Sequence, residues 1–179
     1  MRSARGFLFL LTAFALPTGL LRAEQGMLDP NLEPLRPWLG KTWKSDGAKA
    51  ATDMARVDIA RWERALNGKA VRILHSINDG GYGGETIVMW NEKEKSVIYY
   101  YFTTAGFMTT GTMKFQDRKI ISNEVVSGDA GGVTAVRGTT EMAADGTFRV
   151  QTEYEKGGAW QPARDSTYRE TSAATVVFK

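Results

Sequence analysis

The sequence predicts an all-β protein, an antiparallel meander closed into a small barrel of about ten strands. From Val57 onward, short runs rich in β-branched and aromatic residues alternate with turn signals, a spacing typical of antiparallel β-proteins. One of these turns is Asn67-Gly68, the strongest short-range hairpin signal. The sequence contains no long amphipathic helix and no internal repeat. About ten strands is also near the number that closes a barrel with room for one small ligand.

Residues 1–23 are typical of a secretory signal peptide. Arg2 and Arg5 precede an apolar run from Gly6 to Leu21, and Ala23 is a small residue at the expected cleavage position. The alternative is a membrane anchor, but the uninterrupted apolar stretch is shorter than the ~20 residues that a spanning helix needs. We therefore expect export to the periplasm or the extracellular space, a single domain over residues 24–179, and no membrane anchor after signal removal.

Composition excludes several classes of function. Three of the 23 basic residues lie in the predicted signal, which leaves 20 basic against 20 acidic residues in the mature chain. No basic cluster remains, so we expect no nucleic-acid partner. With one histidine and no cysteine, the chain lacks the ligands of zinc and copper sites, and we predict neither a metal nor a cofactor. The oligomeric state is left open.

The segment before the first strand is predicted to form a short helical turn over one end of the barrel. Three prolines within residues 30–37 prevent a long helix, because proline lacks the N–H donor and restricts the residue before it. Leu32, Leu35 and Leu39 give the turn an apolar side. The first strand is expected around Trp43, and the small, polar, aperiodic stretch from Ser45 to Arg56 is predicted to be a loop.

The Asn67-Gly68 turn sets the pairing of the hairpin that it joins. A two-residue turn places Glu63 opposite Arg72, Trp62 opposite Ile73 and Ala60 opposite His75, and opposed residues share a face. The predicted inner face of this hairpin consists of Trp62, Val71, Ile73, His75 and Ile77.

Later turns extend the same argument. Two-residue turns at Lys93-Glu94, Ala105-Gly106 and Asp117-Arg118 join the runs 85–92, 95–104, 107–116 and 119–126. The inner side would then hold Ile87, Met89, Ile98, Tyr100, Phe102, Phe107, Met113, Phe115, Ile120 and Val126. Tyr99 and Tyr101 would face outward, where the N-terminal segment could cover them; otherwise the register of residues 97–102 is shifted by one.

The last hairpins follow from charge matching. A three-residue loop ending at Gly146 sets Glu141 against Arg149 and Arg137 against Glu153, whereas a two-residue loop would break both pairs. The final strands are expected at Trp160–Thr171 and, as a weaker candidate, Thr175–Lys179.

Two segments resemble known proteins: Leu-Arg-Pro-Trp-Leu-Gly-Lys-Thr-Trp at residues 35–43 and Arg-Trp-Glu-Arg-Ala-Leu-Asn-Gly-Lys at residues 61–69. With the strand order, they resemble calycin-type barrels, the lipocalin-like and nitrobindin-like proteins, and in particular exported bacterial domains of unknown function built on that plan. The resemblance implies a ligand-binding barrel. Lipocalins and nitrobindins usually carry Gly-x-Trp at the first strand, whereas two residues separate Gly40 from Trp43 here. No histidine follows His75, so the haem ligand of nitrobindin-like proteins is not implied.

Polar and aromatic residues predicted on the inner face are the candidates for a ligand site. Glu124 would lie opposite Gly111, where the missing side chain leaves space. The candidate ligand-binding residues are Trp62, His75, Glu85, Tyr100, Glu124, Tyr154 and Tyr168. Their alternative explanation is structural, because tryptophans and a satisfied histidine pack cores and carboxylates at a barrel rim reach water.

Three functions are therefore compared. The preferred hypothesis is a barrel that binds a small, partly apolar molecule. The second is an enzyme that uses His75 with Glu85 or Glu124 for proton transfer inside the cavity. The third is a structural module of the cell envelope, which predicts a filled barrel and an exposed apolar patch.

Overall fold

The computed structural model describes residues 26–49 and 55–179, and the predicted signal peptide lies outside the described residues. In these two ranges, strands follow a 3-10 helix at Pro30–Trp38, and a second short 3-10 turn covers Leu66–Gly68. The strands are β1 (Thr42–Ser45), β2 (Ala48–Lys49), β3 (Ala55–Arg56), β4 (Asp58–Ala65), β5 (Ala70–Ile77), β6 (Tyr82–Asn91), β7 (Ser96–Thr103), β8 (Met108–Gln116), β9 (Lys119–Ser127), β10 (Val133–Met142), β11 (Phe148–Lys156) and β12 (Ala159–Glu170).

Ten of these strands form a closed antiparallel barrel. The order around the barrel is β1-β12-β11-β10-β9-β8-β7-β6-β5-β4. The four-residue strand β1 closes it, because Trp43 pairs with Glu170 of β12 on one side and with Ala60 of β4 on the other. The predicted fold class, an all-β meander closed into a barrel, is confirmed.

The N-terminal 3-10 helix closes one end of the barrel. The Asp29 carboxylate caps it by accepting a hydrogen bond from the Asn31 N–H at 3.1 Å. Leu32 and Leu35 are fully buried, and the Trp38 ring stacks on Trp62 with 5.7 Å between ring centroids. The predicted helical turn with an apolar side is confirmed. Its apolar side completes a core that continues into the barrel.

Two predictions about irregular segments are wrong. The predicted loop from Ser45 to Arg56 begins inside β1 and carries the small hairpin of β2 with β3, in which Ala48 pairs with Arg56. The candidate strand at Thr175–Lys179 is not a strand. This tail instead runs along the outside of β5, where the Val177 N–H donates to Ser76 Oγ at 3.1 Å.

Most predicted pairings are confirmed. The Asn67-Gly68 hairpin pairs Glu63 with Arg72, Trp62 with Ile73 and Ala60 with His75. The loop at Gly146 pairs Glu141 with Arg149 and Arg137 with Glu153. Across the Asp117-Arg118 turn, Gln116 pairs with Lys119 and Gly111 with Glu124.

The predicted faces of β6 and β7 are wrong. Val88 and Tyr99 are buried inside the barrel, whereas Tyr100 and Phe102 are 40% and 49% exposed on the outside. Ile87 pairs with Tyr100, as a two-residue turn at Lys93-Glu94 implies, but both residues face outward. The residues wrongly placed on the inner side are Ile87, Met89, Ile98, Tyr100 and Phe102.

The loop between β7 and β8 explains this error. The Thr103 N–H donates to the Phe107 carbonyl at 3.2 Å, so the loop has three residues, 104–106, and not two. It ends at Gly106, whose φ is +84°, as in three-residue hairpin loops that finish in a left-handed glycine. One additional residue reverses which alternate residues of β7 face inward.

Candidate ligand-binding cavity

The barrel encloses a cavity of about 1050 Å³ above the packed end. Its wall on β10 and β11 is mainly apolar. That wall comprises Val133, Val136, Thr140, Phe148, Val150, Thr152 and Tyr154. The other strands, from β4 to β9 and β12, contribute most of the polar lining, so the cavity is amphipathic.

Five of the seven predicted site residues line this cavity, namely Trp62, His75, Glu124, Tyr154 and Tyr168. The other two, Glu85 and Tyr100, were predicted to face inward and do not. Glu85 lies on the outer surface, where Arg72 Nε donates to its Oε1 at 2.8 Å. Both errors follow from the reversed faces of β6 and β7.

Asp58 is the centre of the polar wall. It lies on β4, and its side chain points into the barrel like that of Trp62. Only 3% of its surface is exposed. One carboxylate oxygen is 3.1 Å from His75 Nδ1. The other accepts from Tyr168 OH at 2.7 Å and from Arg164 Nη1 at 2.8 Å. Its backbone N–H donates to Ser45 Oγ at 2.8 Å.

These contacts determine the charge of Asp58. Burial alone raises the pKa of its carboxyl, but the hydrogen bond from His75, the Arg164 guanidinium and the Tyr168 hydroxyl outweigh it, so the pKa is lowered. Asp58 is therefore ionised at neutral pH, and its charge is balanced by Arg164.

A chain of hydrogen bonds runs from Asp58 around the cavity wall. His75 Nε2 lies 2.7 Å from the Tyr101 hydroxyl, which lies 2.8 Å from the Tyr82 hydroxyl. Burial is the main cause that raises the pKa of Tyr82 and of Tyr101. Both phenols therefore stay neutral and act as hydrogen-bonding groups rather than as bases.

Glycines on neighbouring strands make room for the tyrosines. A Cβ atom at Gly84 would lie 3.0 Å from Tyr101 Cζ, and one at Gly111 would lie 2.7 Å from the Tyr99 hydroxyl oxygen. Both distances are shorter than normal contacts. The Gly-rich start of β6 thus allows the Tyr101 ring to lie over it and reach His75.

Glu124, on β9, forms a second polar group in the lining of the cavity. It points inward beside Gly111, as predicted, and accepts a hydrogen bond from the buried Thr109 hydroxyl. Burial raises the pKa of Glu124, and hydrogen bonds from Thr109 and Tyr99 offset part of that effect. Tyr99 fills the space that Gly111 leaves, so the space is not empty.

Sequence reasoning missed Asp58, Tyr101 and Arg164. Asp58 had a signal, because it alternates with Ala60 and Trp62 on a strand whose inner face was predicted correctly. Arg164 had a weaker signal: it lies four residues before Tyr168, and residues at even spacing on a strand face the same side. Tyr101 was lost with the register of β7.

The structure does not bring together the acid–base pairs considered from the sequence. Glu85 is outside the barrel, Glu124 bonds to Thr109, and both ring nitrogens of His75 are occupied by Asp58 and Tyr101. Among the described residues, no three His, Cys, Asp or Glu side chains lie together as a metal site would need. No described helix is long and apolar enough to cross a membrane.

The architecture defines a class, the closed ten-strand antiparallel barrels with an internal cavity. No protein-family model and no curated protein matches the sequence. A solved structure with a similar fold is the crystal structure of Rv2717c from M. tuberculosis, with a TM-score of 0.57 and 15% sequence identity. The match covers 81% of this chain and 99% of that chain. At this identity, the similarity shows the fold alone.

Proposed function

We propose that the protein is an exported, calycin-type barrel that binds a small, partly apolar molecule in its central cavity. The observation that carries this proposal is the cavity of about 1050 Å³ with one apolar wall and one polar wall. Ligand sites in proteins are usually concave, mainly apolar and equipped with a few placed polar groups. A barrel that served only as an interaction module would be expected to fill this space with side chains.

Binding is preferred over catalysis because of the state of the polar groups. Asp58 and Arg164 neutralise each other at 2.8 Å, and the buried phenols have raised pKa values. His75 has no ring nitrogen left for a substrate without breaking a hydrogen bond. Such a satisfied network is suited to orienting a ligand and is poorly suited to abstracting a proton.

Two neighbouring valines allow a direct test of the cavity. Val126 lines it, whereas Val125 is 63% exposed on the outer face. The uncharged fluorescent probe N-phenyl-1-naphthylamine should bind wild type and Val125→Trp with similar affinity, and Val126→Trp at least about tenfold more weakly, because the indole fills the cavity. Equal binding to both variants would place the probe elsewhere and remove the support for an internal site.

The natural ligand can be sought by native mass spectrometry. Protein purified from its own host should carry a non-covalent adduct, and Val126→Trp purified in parallel should lack it. Repeated isolation of wild type without any adduct would count against a tightly held ligand.

Export is tested separately. The mature protein should be recovered outside the cytoplasm with Glu24 as its first residue, as measured by cell fractionation and N-terminal sequencing. A variant with Leu8→Arg and Leu11→Arg in the apolar run should remain in the cytoplasm at full length. Cytoplasmic wild-type protein that retains residues 1–23 would contradict the proposed export.

A further inference from the structure

The polar wall also restricts which head group the ligand can carry. Arg164 uses only Nη1, which donates to Asp58 Oδ2 at 2.8 Å and to Tyr168 OH at 2.9 Å. Within the described part of the chain, its Nε and Nη2 atoms have no hydrogen-bond partner, and the side chain lines the cavity with 26% of its surface accessible. Arg164 thus offers unused N–H donors to whatever occupies the cavity.

The charge of the guanidinium is already balanced. Asp58 is ionised and in direct contact with it. The other ionisable side chains of the lining besides the tyrosines are Arg56, His75, Glu124 and Asp129, in which Arg56 and Asp129 carry opposite charges. Burial favours the neutral form of Glu124. The two arginines, Arg56 and Arg164, equal the two aspartates, Asp58 and Asp129, in number, so a carboxylate entering this cavity would give its lining a net negative charge.

The hydrogen-bond chain ends at Tyr82. The proposal takes the order in which His75 donates from Nδ1 to the Asp58 carboxylate and accepts at Nε2 from the Tyr101 hydroxyl. Tyr101 oxygen then accepts from the Tyr82 hydroxyl. This order uses the only Tyr82 proton, so the Tyr82 oxygen is left as an acceptor at the end of the chain.

We propose that the ligand carries an uncharged, hydroxyl-bearing head group, which accepts hydrogen bonds from Arg164 and donates one to Tyr82. This inference rests on the proposed binding function and adds the chemical class of the ligand: a neutral alcohol with an apolar body. The hydrocarbon part lies against the wall of β10 and β11, and the head group lies against β6 and β12.

A matched series of probes tests this directly. 1-Undecanol, 2-undecanone and undecanoate share an unbranched eleven-carbon skeleton and differ in the head group. Their dissociation constants are measured at pH 8 by displacement of N-phenyl-1-naphthylamine, an uncharged fluorescent probe. We expect undecanol to bind about fivefold more tightly than the ketone, which lacks the donor for Tyr82. We expect undecanoate to bind at least about tenfold more weakly than undecanol, because it adds a net negative charge to a partly desolvated cavity.

Variants assign the two contacts. Tyr82→Phe should remove the advantage of the alcohol over the ketone and leave the ketone unchanged. Tyr100→Phe, which removes a phenol from the outer surface, is the matched control and should preserve that advantage. Asp58→Asn with Arg164→Met keeps the wall neutral and should weaken both neutral probes about tenfold or more. Because Tyr82→Phe keeps the ring, the test survives if the double variant does not fold.

The outcomes separate this inference from the proposed function. Tighter binding of undecanoate than of undecanol would overturn the uncharged head group, while binding in the cavity would stand. Equal binding of all three probes, unaffected by Tyr82→Phe, would also overturn it. Failure of every probe to enter the cavity of wild type would overturn the proposed function together with this inference.

Discussion

Asp58 connects the polar side chains of two other strands through a single carboxylate. It joins His75 of β5 to Arg164 and Tyr168 of β12, and its own backbone is held by Ser45 of β1. A buried charge of this kind is tolerated because both oxygens are hydrogen-bonded and a cation is in contact. Replacement of Arg164 alone would leave that charge unpaired, which is why the neutral double variant is the better experiment.

Glu124 presents the opposite case, a buried carboxyl with no cation beside it. Burial raises its pKa above the ordinary value of 4.5, so the folded state holds this proton more tightly than the unfolded state does. The stability of wild type should therefore fall as pH rises from 4.5 toward the folded pKa. Glu124→Gln keeps the hydrogen-bonding shape and cannot ionise. We predict that the melting temperature of Glu124→Gln exceeds that of wild type by a few degrees at pH 7 and that the difference disappears at pH 4.

Glu141→Gln is the control for this prediction. Glu141 is exposed on the outside and pairs with Lys119 at 3.3 Å, so its replacement should change stability by no more than about 0.5 kcal/mol at either pH. Parallel melting curves for wild type and Glu124→Gln across pH 4 to 8 would show that Glu124 is not held in a desolvated site.

The sequence was sufficient to place some of these residues and not others. The inward orientation of Glu124 followed from the two-residue turn at Asp117-Arg118, whose length could be recognised. Arg164 was not a candidate, because long charged side chains usually lie at surfaces and only the closed barrel brings β12 next to the chain's early strands. Its partner Asp58 is 106 positions earlier in the sequence.

At the level of strands and loops, the residues that face the interior could be predicted wherever the length of the connecting loop could be predicted. The Asn67-Gly68, Asp117-Arg118 and Gly146 loops gave the observed pairings. The length of the loop between β7 and β8 was predicted wrongly. The alternation of residues in β6 and β7 could not correct it, because both faces of these strands carry apolar side chains. Val88 and Tyr99 on the inside alternate with Ile87 and Tyr100 on the outside. With no polar face to exclude, hydrophobicity alone does not distinguish two registers that differ by one residue.

The loop at Gly106 yields a prediction about backbone conformation. Its φ is +84°, and nothing lies within 4 Å of where a Cβ would be, so any cost of substitution comes from the backbone alone. Gly106→Ala should lower the free energy of unfolding by about 1 kcal/mol, and Gly106→Asn by less, because asparagine tolerates the left-handed region. Urea denaturation measures both.

Gly81→Ala is the matched control for that pair of variants. Gly81 has no positive φ, and the atom nearest to where its Cβ would lie is 3.6 Å away. The substitution should therefore be neutral within about 0.5 kcal/mol. A loss for Gly106→Asn as large as that for Gly106→Ala would contradict a purely conformational cause.

For the whole molecule, the packed end and the cavity divide the barrel between stability and binding. Leu32, Leu35, Trp38, Trp43 and Phe148 are buried together at the end covered by the 3-10 helix. The polar wall lies above them. The side chains of the 3-10 helix therefore help to fill this end of the barrel, and the rest of the interior is left for the cavity.

Leu35→Ala tests the importance of that cap. Leu35 is fully buried, so the substitution should destabilise the protein by about 2–4 kcal/mol through lost packing and the space left behind. Leu66→Ala removes the same atoms from a side chain that is 66% exposed and should cost less than about 0.5 kcal/mol. Chemical denaturation of the two variants makes the comparison, and equal losses would show that the 3-10 helix does not seal the barrel.

The four-residue strand β1 has a consequence for how the chain folds. Strands β4 to β12 can pair in succession through short hairpins, but β1 must meet β12, at the other end of the chain, through the pairing of Trp43 with Glu170. Such a distant pairing slows folding, because the loop that it closes contains most of the chain. Until β1 inserts, the free edges of β4 and β12 are open to pairing with other molecules. The interval before closure is therefore when the nascent protein is most exposed to aggregation, and variants that weaken β1 should lower the yield of refolding at high concentration before they alter the folded protein.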